Sequence, residues 1–272
     1  MATLDQPSKI RLALTTAPSM PASGSEEVLS YSIELESTGS GFAFALREQL
    51  LTRSSAASEF NASLWSENGA VRIPGAAGVA SRSVPNASES ALSQLPELPP
   101  AAGRMRSYLR SASRITPIDT QERSPIRLPQ TLQPTGFVPS ANGDNLFSVL
   151  MKIRGEREAS YGQVEEVLRA AFPTFRRLDF PAVASGQVTL AWHDSAFTKP
   201  FYVNELSSGT LRFLLLVTVL LSPEPPEMIL IDEPEVSFHP EMLRLLAELL
   251  RSAAAKTQIL AATQSATLLR WL

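Results

Sequence analysis

Residues 204–240 read NELSSGTLRFLLLVTVLLSPEPPEMILIDEPEVSFHP, and the order of parts in this stretch decides the fold. Leu206-Ser207-Ser208-Gly209-Thr210 places hydroxyl residues and a glycine directly ahead of an apolar, helix-like run from Leu211 to Leu221. A helix N-terminus carries free backbone N–H groups and the positive end of its dipole, and a glycine there lets an anion approach the backbone closely. Taken alone, S-S-G-T is also an ordinary serine-capped helix start. After a proline-rich loop, Pro223 to Pro226, comes Met228-Ile229-Leu230-Ile231, a continuous apolar run suited to a strand buried on both faces of a parallel sheet. It ends in Asp232-Glu233, so two adjacent carboxylates emerge at the edge where open α/β sheets bind ligands.

Working outward, the composition narrows the class. A chain of 272 residues with 44% hydrophobic and 19% charged residues has the material for a core and belongs with soluble globular proteins. A formal charge of -3 argues against coating nucleic acid by bulk electrostatics. The absence of cysteine excludes disulfides, thiolate catalysis and thiolate-ligated metal sites. The N-terminus lacks a basic start followed by a long apolar core, so no signal peptide is expected. The most apolar run, Phe213 to Leu221, falls far short of the roughly 20 residues a spanning helix needs. A cytoplasmic protein with no membrane partner is the expectation.

Upstream of the key stretch the chain reads first as β-rich. Arg11 to Leu14 is strand-like and Thr15 to Glu26 a loop. Tyr31 to Glu36 alternates with period two, Ser37 to Gly41 is a turn, and Phe42 to Leu51 can return as the partner strand. A second hairpin is expected from Ala62 to Trp65 and Ala70 to Ile73 around Glu67-Asn68-Gly69, because Asn-Gly tolerates positive φ. Ala76 to Pro100 reads as an exposed connection. Arg104, Arg106, Arg110 and Arg114 lie on a helix running into a strand, either as a solvated face or as phosphate contacts. Thr120 to Pro139 reads as extended. Leu146 to Arg154 and Tyr161 to Phe172 are amphipathic helices, the first capped near Gly143-Asp144-Asn145 and the second stopped by Pro173, and Gln187 to Trp192 alternates again. His193 shows no partner in the sequence and is read as structural.

The ordered motifs resemble the ATPase head shared by ABC transporters, SMC proteins and RecF-like proteins, and most closely the bacterial AAA-type, ABC-like group. In that family a signature of the form LSGGQ or LSDGT precedes a helix, a Walker B strand ending in Asp-Glu-Pro-Glu, and a D-loop reading like LHP. Here Leu206 to Thr210 matches the signature, Met228 to Glu233 the Walker B strand, and Pro234 to Pro240 the D-loop. Thr257 to Thr263 supplies another buried strand ending at Gln264-Ser265, where the family has its switch residue, usually His-Ser. The resemblance implies a P-loop NTPase, an α/β fold whose parallel sheet carries helices, incomplete here and preceded by an N-terminal antiparallel β-rich section. Three sections follow: 1–120 as the β-rich hairpin section, 121–200 as a connecting section, and 201–272 as the signature, Walker B, D-loop and switch part.

By the same resemblance ATP and Mg²⁺ are the cofactors. Asp232 would coordinate Mg²⁺, Glu233 would be the general base, and Gln264 would stand at the γ-phosphate sensor position. Ser207, Ser208, Gly209 and Thr210 would serve a nucleotide held by a second head, with Ser207 and Gly209 on its γ-phosphate. His239 falls in the D-loop beside that nucleotide and would shape the dimer contact rather than perform chemistry. The partner implied is a second copy or a related head, with nucleic acid a further possibility and DNA-related or defence processes the setting.

One departure matters. A Walker A loop needs G-x-x-x-x-G-K-S/T, and none of the 13 glycines is followed by lysine. The chain therefore resembles a head without its first strand, loop and helix and without a tail, which should leave apolar sheet edge uncovered. Two function classes stand: an ATPase completed by a longer chain or a partner, and a degenerate, non-hydrolysing head that acts as a dimerisation module.

Overall fold

A computed structural model describes residues 9–16, 27–37, 44–54, 57, 59–75 and 78–272. The chain divides into two compact units, Met1–Arg110 and Ser111–Leu272.

In the first unit six strands follow one another as an antiparallel meander: β1 (Lys9–Thr15), β2 (Glu27–Ser37), β3 (Phe44–Ser54), β4 (Asn61–Glu67), β5 (Ala70–Gly75) and β6 (Gly78–Ser83). Both expected hairpins form. Asn68 and Gly69 take φ of 50° and 81°, the left-handed pair that a two-residue turn between β4 and β5 requires. The loop after β1 and the turn after Ser37 lie outside the described residues. Leu29, Tyr31, Leu50, Leu64 and Val71 bury one face of the sheet against α1 (Ala91–Gln94) and α2 (Pro100–Ser111).

The expected exposed connection from Ala76 to Pro100 is thus corrected in part. It supplies β6 and α1, and Ala91, Leu92 and Leu95 are core residues. Ser90 caps α1, accepting from Leu92 N at 3.1 Å, while the buried Glu48 carboxylate accepts from Ala91 N at 2.6 Å and from the Tyr31 hydroxyl. An Ala- and Ser-rich segment has no apolar period to betray this, because its order comes from a carboxylate more than forty residues upstream. Two of the arginines are occupied within the unit. Arg104 pairs with Glu27, and Arg106 donates to the Leu95 carbonyl at 3.0 Å.

The second unit begins with β7 (Ser113–Ile115) and β8 (Gln130–Thr131), followed by α3 (Leu146–Glu156) and α4 (Glu158–Ala171). Short strands then alternate: β9 (Phe175–Asp179), β10 (Ala182–Ala184), β11 (Gln187–Val188), β12 (Ala191–Asp194) and β13 (Phe201–Tyr202). The expected strand from Gln187 to Trp192 is split, with β11 pairing β8 and β10, and β12 pairing β9 and β13. Val188, Leu190 and Trp192 are nevertheless all buried, as their alternation requires. His193 has a partner that the sequence hides, Asp179, 2.9 Å away on β9.

The chain then enters α5 (Ser208–Leu220), β14 (Met228–Asp232), α6 (Pro240–Ala254), β15 (Gln258–Ala262) and α7 (Ala266–Trp271). From Phe213 to Leu220 every residue of α5 is buried, which is why that run is apolar all round rather than along one stripe. The strand β14 pairs in parallel with β15, Met228 opposite Gln258 through Asp232 opposite Ala262, and with β7, Ile229 opposite Ser113. The fold class is therefore α/β, a parallel sheet with helices preceded by an antiparallel β-rich section. On β15, Leu260 is 64% exposed on a strand that pairs on one side only among the described residues. No helix among those residues is long and apolar enough to cross a membrane.

Candidate functional site

The apolar β14, held between two parallel neighbours, delivers Asp232 and Glu233 to the sheet's C-terminal edge. Asp232 is exposed, and its carboxylate has no hydrogen-bond or ion-pair partner among the described residues. Glu233 is different. Its φ is 44°, in the left-handed region that costs a non-glycine residue about 1–2 kcal/mol. Its N–H is held by the Ala262 carbonyl at 2.8 Å, and its Oε1 accepts from Gln264 Nε2 at 2.6 Å. The structure thus brings together three residues that the sequence spreads from 232 to 264.

The turn after Glu233 is tightly specified. Pro234 is buried, Val236 N donates to the Glu233 carbonyl at 3.1 Å, and Ser237 is again left-handed with φ of 72°. Phe238 packs edge-on to Phe213 of α5 at 5.6 Å. His239 then caps α6, its Nδ1 accepting from Glu241 N at 3.4 Å, with Pro240 in the first turn. The imidazole is 70% exposed, so capping leaves most of it open to a partner.

The turn read as the signature begins α5. Ser207 is the N-cap; its Oγ accepts from Thr210 N at 3.0 Å and lies 2.8 Å from Thr210 Oγ1. Ser207 is exposed, and Ser208, Gly209 and Thr210 are half-buried. Gly209 has an intrachain reason to be glycine, since a Cβ there would stand 2.5 Å from the Ser237 carbonyl oxygen. The 234–240 segment thus rests directly on the turn at 206–210. Arg212, one helical turn on, donates to the Ile118 carbonyl at 3.1 Å and to Ser237 Oγ. A hollow of about 350 Å³ opens beside the turn between Phe172, Trp192, Ser207 and Thr210.

Arg127 is a further residue of the site that no sequence motif marks. Its guanidinium donates to the carbonyls of Thr120 at 2.5 Å, Leu206 at 2.6 Å, Asn204 at 3.3 Å and Val203 at 3.4 Å, and reaches Ser208 Oγ at 3.5 Å. It staples the chain leading into the signature turn. An arginine in a proline-rich stretch gives no signal of this, because most of its partners are backbone oxygens more than seventy residues along the chain.

The donor set suits a hard divalent cation. Among the described residues no group of three or more His, Cys, Asp or Glu is placed to hold a metal. Mg²⁺ commonly takes only one or two carboxylates, with phosphate and water oxygens completing the octahedron. An unpartnered Asp232 at a strand end fits that role. The cleft lined by Ile115, Arg212, Asp232 and Glu233 measures about 20 Å³, room for about one water.

Residues 46–270 match the family described as AAA domain, putative AbiEii toxin, Type IV TA system. The chain belongs to this family. That AAA-domain membership agrees with the resemblance to ABC-like ATPase heads carried by the ordered motifs. No curated protein matches the chain. Solved structures of SMC heads are similar at low identity. One is an SMC head bound to the winged-helix domain of ScpA, at 12% identity over 90% of this chain and 68% of that one, with a TM-score of 0.43. Another is the Pyrococcus furiosus SMC head with an extended coiled coil bound to the C-terminal domain of ScpA, at 9% identity over 90% and 72%, with a TM-score of 0.40. A third, from work on ATP-driven dimerization and DNA-stimulated activation of SMC ATPases, has 16% identity over 45% and 76%, with a TM-score of 0.37. The assignment of the AAA-domain chain rests on the family match.

Proposed function

We propose that this AAA-domain chain is a cytoplasmic ATPase head that binds and hydrolyses Mg-ATP in a dimer with a second copy or a related head. DNA-related or defence processes are the setting we propose for it. The carrying observation is the strained Glu233, bonded to the Gln264 amide and adjacent to an Asp232 that has no partner among the described residues. Strain of this kind persists where the surroundings over-determine it, as they do at active sites.

In this reading Asp232, the Walker B aspartate, holds Mg²⁺, which when bound neutralises charge on the transferred phosphoryl group. Glu233 accepts the proton of the attacking water. Gln264 orients that carboxylate and offers its amide at the γ-phosphate side; being an amide, it donates a hydrogen bond but carries no charge. Ser207, Ser208, Gly209 and Thr210 present the α5 N-terminus to the nucleotide of the opposite head, and His239 lies at the contact between heads.

The test is Mg-ATP turnover and binding by the 272-residue chain, alone and with candidate partners. Glu233→Gln is expected to lower turnover about 100-fold or more while nucleotide still binds, and chelating the metal to abolish turnover. Turnover that survives Glu233→Gln would sink the assignment. A second reading, a head that pairs without hydrolysing, is favoured by the lack of G-x-x-x-x-G-K-S/T in these residues. It predicts self-association that is indifferent to ATP and to Glu233→Gln.

A further inference from the structure

Two turns leave the C-terminal edge of the parallel sheet, one after β14 and one after β15, and a single carboxylate ties them together. Glu235 Oε1 accepts from Thr263 Oγ1 at 2.7 Å, from Gln264 N at 3.0 Å and from Ser265 N at 3.1 Å. Its other oxygen, Oε2, is buried without a hydrogen-bond partner among the described residues. The middle residue of the turn so gripped is Gln264, whose side chain reaches back to Glu233 Oε1 at 2.6 Å.

Capping of α7 does not account for this arrangement. That helix has its own cap, Ser265 Oγ accepting from Leu268 N at 3.1 Å. Burying one carboxylate oxygen unpaired is costly, and helix capping alone gives no return for it. What the three bonds on Oε1 do achieve is to fix the backbone on both sides of Gln264.

We propose that Glu235 is a positioning residue, holding the 263–265 turn in the arrangement that lays the Gln264 amide against the Glu233 carboxylate. Only the kinetic part of its test rests on the ATPase reading. The first readout is the side-chain amide resonances of Gln264 by NMR in the full chain, assigned by their loss in Gln264→Ala. Glu233→Ala and Glu235→Ala should both move them toward the position of a free glutamine amide. Glu235→Gln, which keeps an acceptor at Oε1, should move them less, and it replaces the alanine variant if that one fails to fold. Resonances that stay in place in a folded Glu235 variant while moving in Glu233→Ala would overturn the proposal, as would resonances that Glu233→Ala leaves unmoved.

The second readout is turnover. Glu235→Ala should lower kcat about tenfold at unchanged KM, the loss expected for a misplaced charge-assisted hydrogen bond, and should add nothing in a Gln264→Ala background. An equal loss in that background would overturn the positioning role. A wild-type chain without turnover would count against the ATPase reading and leave the amide resonances to decide this one.

Discussion

At Glu233 the residue that chemistry would choose and the residue that the backbone prefers are in conflict. A left-handed φ of 44° favours glycine, yet the position carries a glutamate. The expected consequence is an inverted order of variants. Glu233→Gly should be more stable than Glu233→Ala by about 1 kcal/mol in urea denaturation, although glycine ordinarily destabilises relative to alanine. An alanine variant of equal or greater stability would show that the backbone there is unstrained. The strands that Asp232, Glu233 and Gln264 follow were legible as apolar runs, whereas the roles of these three residues came from the family resemblance and not from any local pattern. Gly209 was legible as a position but not in its reason. Its missing Cβ makes room for the Ser237 carbonyl, a contact between segments that no local pattern encodes.

Among the elements, those whose order arises locally could be read, and those ordered from a distance could not. The strands β14 and β15 and the helices α3 and α4 announced themselves through apolar runs, periodicity and the stop at Pro173. The helix α1 did not, because the Glu48 carboxylate on β3 receives its first N–H. The entry into α5 is a second such case. Arg127 holds the carbonyls of Val203, Asn204 and Leu206 ahead of the signature turn. Hydrogen bonds from a charged donor contribute about 1.5–3 kcal/mol each where the partners would otherwise lie unpaired, and less where water competes. Arg127→Ala should therefore destabilise the second unit by about 2 kcal/mol in urea unfolding. Arg127→Lys should recover little, since one ammonium cannot hold the Thr120 carbonyl, which Nε reaches, together with the 203–206 carbonyls, which Nη1 reaches. Full recovery by lysine would show that charge alone, and not the fork, holds this loop.

Across the whole molecule each unit has its own core, and each core buries one tyrosine hydroxyl in a different way. Tyr31 in the first unit donates to Glu48, and burial, reinforced by the Glu48 charge, pushes its pKa well above the usual tyrosine range. Tyr161 in the second unit is 7% exposed, with no hydrogen-bond partner for its hydroxyl among the described residues. Burial first and the Glu165 charge second push its pKa from 10.0 up to about 12. Both native tyrosines hold their protons more tightly than the unfolded chain does, so both contribute stability that is fully present below pH 10 and lost as pH rises above it. For Tyr161 the loss should be on the order of 2 kcal/mol by pH 12. The same substitution then separates the units. Tyr161→Phe removes a buried hydroxyl that makes no close hydrogen bond among the described residues and has the Arg154 guanidinium near it, so it should be close to neutral or stabilising at pH 7 and should flatten the alkaline loss of the second unit. Tyr31→Phe removes a donor from the buried Glu48 carboxylate, so it should destabilise the first unit at pH 7 by about 1.5–3 kcal/mol. Urea unfolding followed at pH 7 and pH 11 by hydrogen exchange resolves the two units separately. Equal losses from the two substitutions at pH 7 would show that the hydroxyls are equivalent and that Glu48 does not depend on Tyr31.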